Sequence, residues 1–233
     1  MKKLVTTLCT VAALAVVASV SFAANPVRIS QAWSGGGSAS GSATYNVDYV
    51  ELFNYSGVAV NISGWTIEYG SATGNWGSSA ANIFTFPANT FIQPCKYVLV
   101  QLGTPSAGGG PLPVAADFSG TLAMGAAAGK VALFNAVNTN LACGAELPGT
   151  LVDKVSWGAT ATCAETAPIT SGTMSITAGA GRLNDGGTDT DNNNNDFVVG
   201  PLVPRNSASP ANVNCLSVPS MNSTWGQLKT IYR

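Results

Sequence analysis

Asp48-Tyr49-Val50-Glu51-Leu52-Phe53-Asn54, followed after a polar interval by Val60-Asn61-Ile62-Ser63-Gly64-Trp65-Thr66-Ile67, decides how this chain folds. The first run alternates. Tyr49, Glu51 and Phe53 share one face of an extended segment, and Val50 and Leu52 share the other, the period-two pattern of a strand. Ser56-Gly57 and Ser63-Gly64 mark turns, and the Gly64-Trp65 step places a large ring directly after one of them, as a core plug between two sheets. The same grammar extends in both directions. Apolar or alternating runs recur at 27–30, 65–69, 83–86, 97–101, 130–134 and 151–155, and Gly/Ser/Pro-rich intervals at 34–42, 71–79, 108–110 and 148–149 separate them. Before the last dozen residues no window holds a sustained 3.6-residue apolar period. Seven or more short strands with this punctuation predict an all-β sandwich or barrel carrying long Gly/Ser-rich loops.

Composition narrows the chemistry. Of 233 residues only 9% are charged, 10 Lys and Arg against 11 Asp and Glu, and there is no histidine. A chain without histidine has no Ser-His-Asp or Cys-His relay, no His-ligated zinc and no imidazole proton shuttle. Balanced, sparse charge gives no electrostatic footprint for nucleic acid. A hydrophobic content of 46% argues against a disordered chain.

Residues 1–23 read as a secretory signal peptide: Met1-Lys2-Lys3, an apolar run to Val20, and a small-x-small cleavage site at Ser21-Phe22-Ala23. Thr6, Thr7, Thr10 and Ser19 interrupt the run too often for a membrane span. Cys9 stands too early to be a lipidated cysteine, and no later segment is long enough to cross a bilayer. The expected organisation is therefore a signal peptide (1–23), one domain (24–216), and a linker with a short amphipathic tail (217–233). The expected location is outside the cell or at its surface, with the periplasm included. Export leaves Cys95, Cys143, Cys163 and Cys215, an even set in an oxidising compartment. Three pairings exist. Cys143–Cys163 is favoured because the segment between them can return as a hairpin-like excursion, and Cys95–Cys215 follows by elimination.

Further motifs follow in order: 86–87 through 92–94, Lys96-Tyr97-Val98-Leu99-Val100, Asp117-Phe118-Ser119-Gly120, Gly129-Lys130-Val131-Ala132-Leu133-Phe134, Val152-Asp153-Lys154-Val155-Ser156-Trp157-Gly158, Arg182-Leu183, and Asp189-Thr190-Asp191-Asn192-Asn193 ahead of Asp196-Phe197. Together with the opening stretch, this series resembles the lamin tail domain over roughly residues 26–210. Its most specific pieces are Asn61-x-Ser63-Gly64-Trp65 and the closing Asp-Thr-Asp-Asn-Asn. Cys95 departs from the family pattern, which usually has Gly after the Pro. The resemblance implies an immunoglobulin-like β-sandwich and a noncatalytic binding or scaffolding module, with no catalytic residues to carry over.

Four features are candidate sites. Asp185, Asp189, Asp191, Asn193 and Asp196 crowd one loop, and D-x-D-x-N opens many calcium loops. No Glu stands at the later bidentate position, so the competing reading is that these residues cap their own turns. No cofactor is otherwise expected. Trp33, Tyr45 and Trp76, with Tyr69, lie in or beside Gly/Ser loops, where flat rings on a neutral surface suit sugars. The competing reading has them sealing the sandwich edge. A hydrolase needs two facing carboxylates. Asp48 and Glu51 point to opposite faces, and nothing in the sequence joins Glu68 to Asp153. In the tail, Trp225, Leu228, Ile231 and Tyr232 form an apolar stripe at helical spacing. The resulting expectation is an exported interaction module for a protein or envelope partner, with a carbohydrate-binding module as the alternative and a hydrolase behind it.

Overall fold

The structure, a computed structural model, describes residues 26–39 and 41–215. The signal-peptide and tail readings, over residues 1–23 and 217–233, lie outside the described residues. Within them the chain is nearly all β. One sheet has six strands in the order β12-β11-β1-β2-β7-β8, and a second has four, β10-β9-β4-β5. In the first sheet β1 is Val27–Trp33, β2 Asp48–Asn54, β7 Tyr97–Leu102, β8 Phe118–Gly120, β11 Gly179–Arg182 and β12 Phe197–Gly200. In the second, β4 is Thr66–Ser71, β5 Ile83–Thr85, β9 Gly129–Phe134 and β10 Leu151–Trp157. A small pair, β3 (Val60–Asn61) and β6 (Phe91–Ile92), joins them, and the one α-helical turn, α1, spans Asn193–Asp196. All strand pairs are antiparallel except β7 with β8.

The core between the sheets follows the alternation. Val50 and Leu52 of β2, Val98 and Val100 of β7, Ile67 of β4 and Val131 and Leu133 of β9 meet there. Trp65 differs from the expectation. It is only half-buried at the margin of this core, and the fully enclosed indoles belong to Trp33, Trp76 and Trp157.

The outward face of β2 is also buried. Tyr49 packs with Trp33, Tyr45 and Leu99, and Phe53 packs with Tyr97 and Cys215. A strap of residues 201–215 and the loops around Tyr45 and Leu112 cover the six-stranded sheet. Across the molecule, the loops bearing Trp76, Leu141 and Cys163 cover Ala132 and Phe134 of the four-stranded sheet. Each cover is tied down by a disulfide. Cys95–Cys215 holds the strap and Cys143–Cys163 holds the opposite layer, with Cα separations of 5.5 and 5.6 Å.

The Gly/Ser-rich loop after β1 is packed at its start, where Ser34 and Gly35 are buried. A Cβ at Gly36 would lie 1.7 Å from the carbonyl oxygen of Val47, so the backbone approaches closer than any other residue permits. In this position the Gly36 N–H donates to Asp48 at 2.9 Å.

Candidate functional site

Charge is concentrated in two arginine-centred clusters, and both arise from breaks in regular pairing. The β1–β2 register slips between Ile29 and Gln31, and the β10–β9 register slips between Leu151 and Asp153. A bulge leaves backbone groups without ladder partners. At β1 the skipped residue is Ser30, and side chains hold the backbone groups of its neighbour Ile29. Its N–H donates to Asp153 Oδ2 at 2.6 Å, and its carbonyl accepts from Arg182 Nε at 2.9 Å. Arg182 Nη2 then donates to both oxygens of Asp153 at 2.9 and 2.8 Å. The result is a buried clasp between the two sheets, in which a bidentate ion pair also satisfies the bulged strand. Arg182 Nη1 reaches Asp189 at 3.1 Å and lies 3.7 Å from Asp196, and Arg28 holds the other oxygen of Asp189 at 3.2 Å.

This assigns the acidic loop residue by residue. Asp189 is an arginine partner. Asp196 closes its own turn, accepting from the Thr190 N–H and hydroxyl at 2.8 and 2.7 Å. Asp185 belongs to the second cluster, bonded to Arg205 at 2.9 Å. Asp191 stands exposed on the surface at φ 54°.

Asn193 has both amide atoms engaged with the open edge of β10. Its oxygen accepts from Ser156 N–H at 3.0 Å and its nitrogen donates to the Lys154 carbonyl at 2.9 Å. A side-chain amide thus stands in for a missing strand. Asn193→Ala leaves two buried backbone groups unpaired and is expected to cost about 2 kcal/mol in denaturant titration.

The five residues read as calcium ligands therefore do not share one centre. The carboxylates that do converge are Asp189, Asp196 and Glu165, with ligand oxygens within 4.8 Å of one another. Glu165 lies far from the loop in sequence and carried no motif. It is brought in by Asn193, which donates to it at 2.8 Å. Arg28 and Arg182 already place positive charge here, so added calcium is expected to leave the melting temperature unchanged. A calcium-dependent rise reversed by a chelator would instead make these three carboxylates ligands.

Burial pushes the Glu165 carboxyl up to about 9, helped by the charge of Asp153 beside it and opposed by Arg182. Burial likewise pushes Asp48 up to about 7, although the N–H groups of Met124 and Gly36 pull it down. In the unfolded chain both ionise near pH 4, so between pH 4 and 9 the folded state binds more protons and stability falls as pH rises. The urea midpoint is expected to be lower at pH 8.5 than at pH 5.5, and Asp48→Asn should flatten the part of that slope below pH 7. A midpoint that rises with pH would contradict both assignments.

The second cluster lies under the strap. Glu51, fully buried on β2, accepts from Ser30 at 2.6 Å and from Arg205 Nη2 at 2.8 Å, and the Arg205 backbone N–H adds a third bond at 2.6 Å. The guanidinium of Arg205 also lies 3.8 Å from the centre of the Tyr97 ring. Neither acid pair considered for hydrolysis faces a partner across a cleft. Asp48 and Glu51 are each engaged with backbone or arginine, Glu68 is bonded by Thr66 and Asn138, and Asp153 lies in the clasp.

The aromatic reading is corrected. Trp33 and Trp76 are 0% exposed and Tyr45 is 8% exposed. Trp33 packs edge-on against Tyr45 at 4.9 Å, and the Tyr45 hydroxyl donates to Leu202 of the strap at 2.7 Å. Trp76 packs on Phe134 and donates to Glu146 at 2.9 Å. Tyr69 stacks on Trp157. Trp33, at the end of β1, and Tyr45 seal the outer face of the six-stranded sheet, Trp76 seals that of the four-stranded sheet, and Tyr69 on β4 packs half-buried against the core between them.

With the sandwich and its clasps in place, the lamin tail domain family model matches residues 21–159, more than half of the chain. The chain belongs to the lamin tail domain family. This is a family of noncatalytic immunoglobulin-like domains. The match in this lamin tail domain ends just after β10, short of the residue 210 reached by the motif resemblance. It leaves β11, the acidic loop, β12 and the strap outside, although β11 and β12 pair into the same six-stranded sheet. A DUF4876 family protein from Bacteroides thetaiotaomicron, of known crystal structure, superposes with a TM-score of 0.57 over 81% of this chain and 74% of that one, at 12% identity. At that identity the likeness concerns the fold. No curated protein matches the sequence.

Proposed function

We propose that this lamin tail domain is exported and works as a noncatalytic interaction module, binding a protein or envelope partner at the cell surface or outside the cell. The observation that carries the reading is the pair of disulfides, each fastening a loop layer over one sheet. Such bonds persist in oxidising compartments, and a protein held there needs covers that survive without chaperones. Among the described residues no helix is long and apolar enough to cross a membrane, which agrees with a module that is released or surface-held. The charged groups support binding over catalysis, because both arginine clusters are spent on holding strands and strap. Fractionation of producing cells tests export, with the protein expected outside the cytoplasm and with no free thiols. A pull-down with the exported domain against envelope proteins tests the partner. Cytoplasmic retention with four reduced cysteines would overturn the reading.

A further inference from the structure

Beside edge strand β8, a cleft of about 360 Å³ opens between the 87–91 turn, Phe118 and Ser207 of the strap. Its most prominent wall is Phe91, 48% exposed. Alternation explains the orientation: in β6, Ile92 takes the inward position and is fully buried, so Phe91 faces out. Leaving such a ring in water forgoes a contribution that burial would supply. Among the cleft's lining residues are the neutral polar Asn89, Thr90 and Ser207. The Thr90 hydroxyl donates to the Pro87 carbonyl and the Ser207 hydroxyl to Asp117, so each oxygen is left as an acceptor. Asn89 sits on an exposed turn at φ 60°.

The wall chemistry selects the ligand. No lysine or arginine lines the cleft, so an anion finds no counter-charge. The one carboxylate, Asp117, already accepts from the Leu99 N–H and from the N–H and hydroxyl of Ser207, which leaves it poorly placed to hold a cation. A flat apolar face flanked by uncharged amide and hydroxyl groups complements a molecule with a C–H face and hydroxyl edges. We propose that this cleft binds a neutral saccharide, with the sugar ring stacked on Phe91 and its hydroxyls bonded by the Asn89 amide and donating to the Ser207 oxygen. The site is separate from the buried Trp33, Tyr45 and Trp76, and it does not depend on the protein-partner reading.

Native gels cast with xylan, laminarin, glycogen or hydroxyethylcellulose test it on the full exported protein. Retardation is expected in at least one gel. Phe91→Ala should weaken it about tenfold or more, Phe91→Tyr should keep it, and Val203→Ala, on the strap away from the cleft, should leave it unchanged. Phe91 is largely exposed, so an unaltered urea midpoint for Phe91→Ala is expected to accompany the loss. No retardation of the wild type in any gel, or equal retardation of Phe91→Ala, overturns the site. Capture of envelope proteins by Phe91→Ala, measured in parallel, separates that failure from a failure of the partner reading.

Discussion

Arg182→Met should lower folding stability by about 3–5 kcal/mol, the usual result of removing one partner from a buried ion pair. The arginine side chain is fully enclosed and the Asp153 side chain nearly so. Without the guanidinium, Asp153 faces Glu165 and Asp189 with no counter-charge from β11, and the Ile29 carbonyl loses its donor. The loss should be larger at pH 8.5 than at pH 5.5, because acidification protonates the stranded carboxyls. Adding Asp153→Asn to Arg182→Met removes the stranded charge and should recover part of the stability. Urea titration at both pH values checks this, and a single-variant loss under 1 kcal/mol would show that the clasp is not what joins the sheets at this edge.

The other large effect comes from the disulfide beneath the strap. Cys95–Cys215 spans 120 residues and Cys143–Cys163 spans 20. Cross-links constrain the unfolded chain more as the closed loop lengthens, by about 5 kcal/mol for the longer and about 3 kcal/mol for the shorter. Cys95→Ala/Cys215→Ala should therefore be the more damaging pair, dropping the melting temperature by about 10–20 °C. It also frees the strap that carries Arg205, so the buried Glu51 loses its three arginine bonds together. Thermal melts of the two double variants decide the order, and a greater loss from the shorter loop would contradict it.

Both disulfides and the strands were legible because their signals are local or parity-based. Alternation in 48–54 places β2, and the four cysteines from Cys95 onward admit few pairings. Burial of the second face of β2 was not legible. Tyr49, Glu51 and Phe53 read only as one face of the strand, and it is the return of residues 201–215, far along the chain, that buries it. The same non-local closure hid the fate of Trp33 and Trp76, whose small-residue surroundings look like open loops. The acidic loop was legible as a cluster and not as a mechanism. Its partners Arg28 and Arg182 sit on β1 and β11, and Arg182 in turn is held by Asp153 of the other sheet, beside bulges that no spacing rule marks. Trp65 failed for a simpler reason: a ring just after a turn stands at the margin of a sandwich as readily as in its middle.

The Cys95–Cys215 bond also fixes how the domain would carry load. If residues 26 and 215 are pulled apart, the force passes from β1 through β2 and the 55–95 segment directly into the bond, bypassing everything between. About 120 residues, some 400 Å of slack when extended, never pay out. The four-stranded sheet's β9 and β10, the Arg182-bearing β11, the Arg205-bearing strap and the whole acidic loop lie inside that closed circuit, so stretching draws out only the segment 26–95 while the covalent ring stays closed. Under load the domain therefore lengthens only as far as the 26–95 segment allows and then meets a stiff covalent stop.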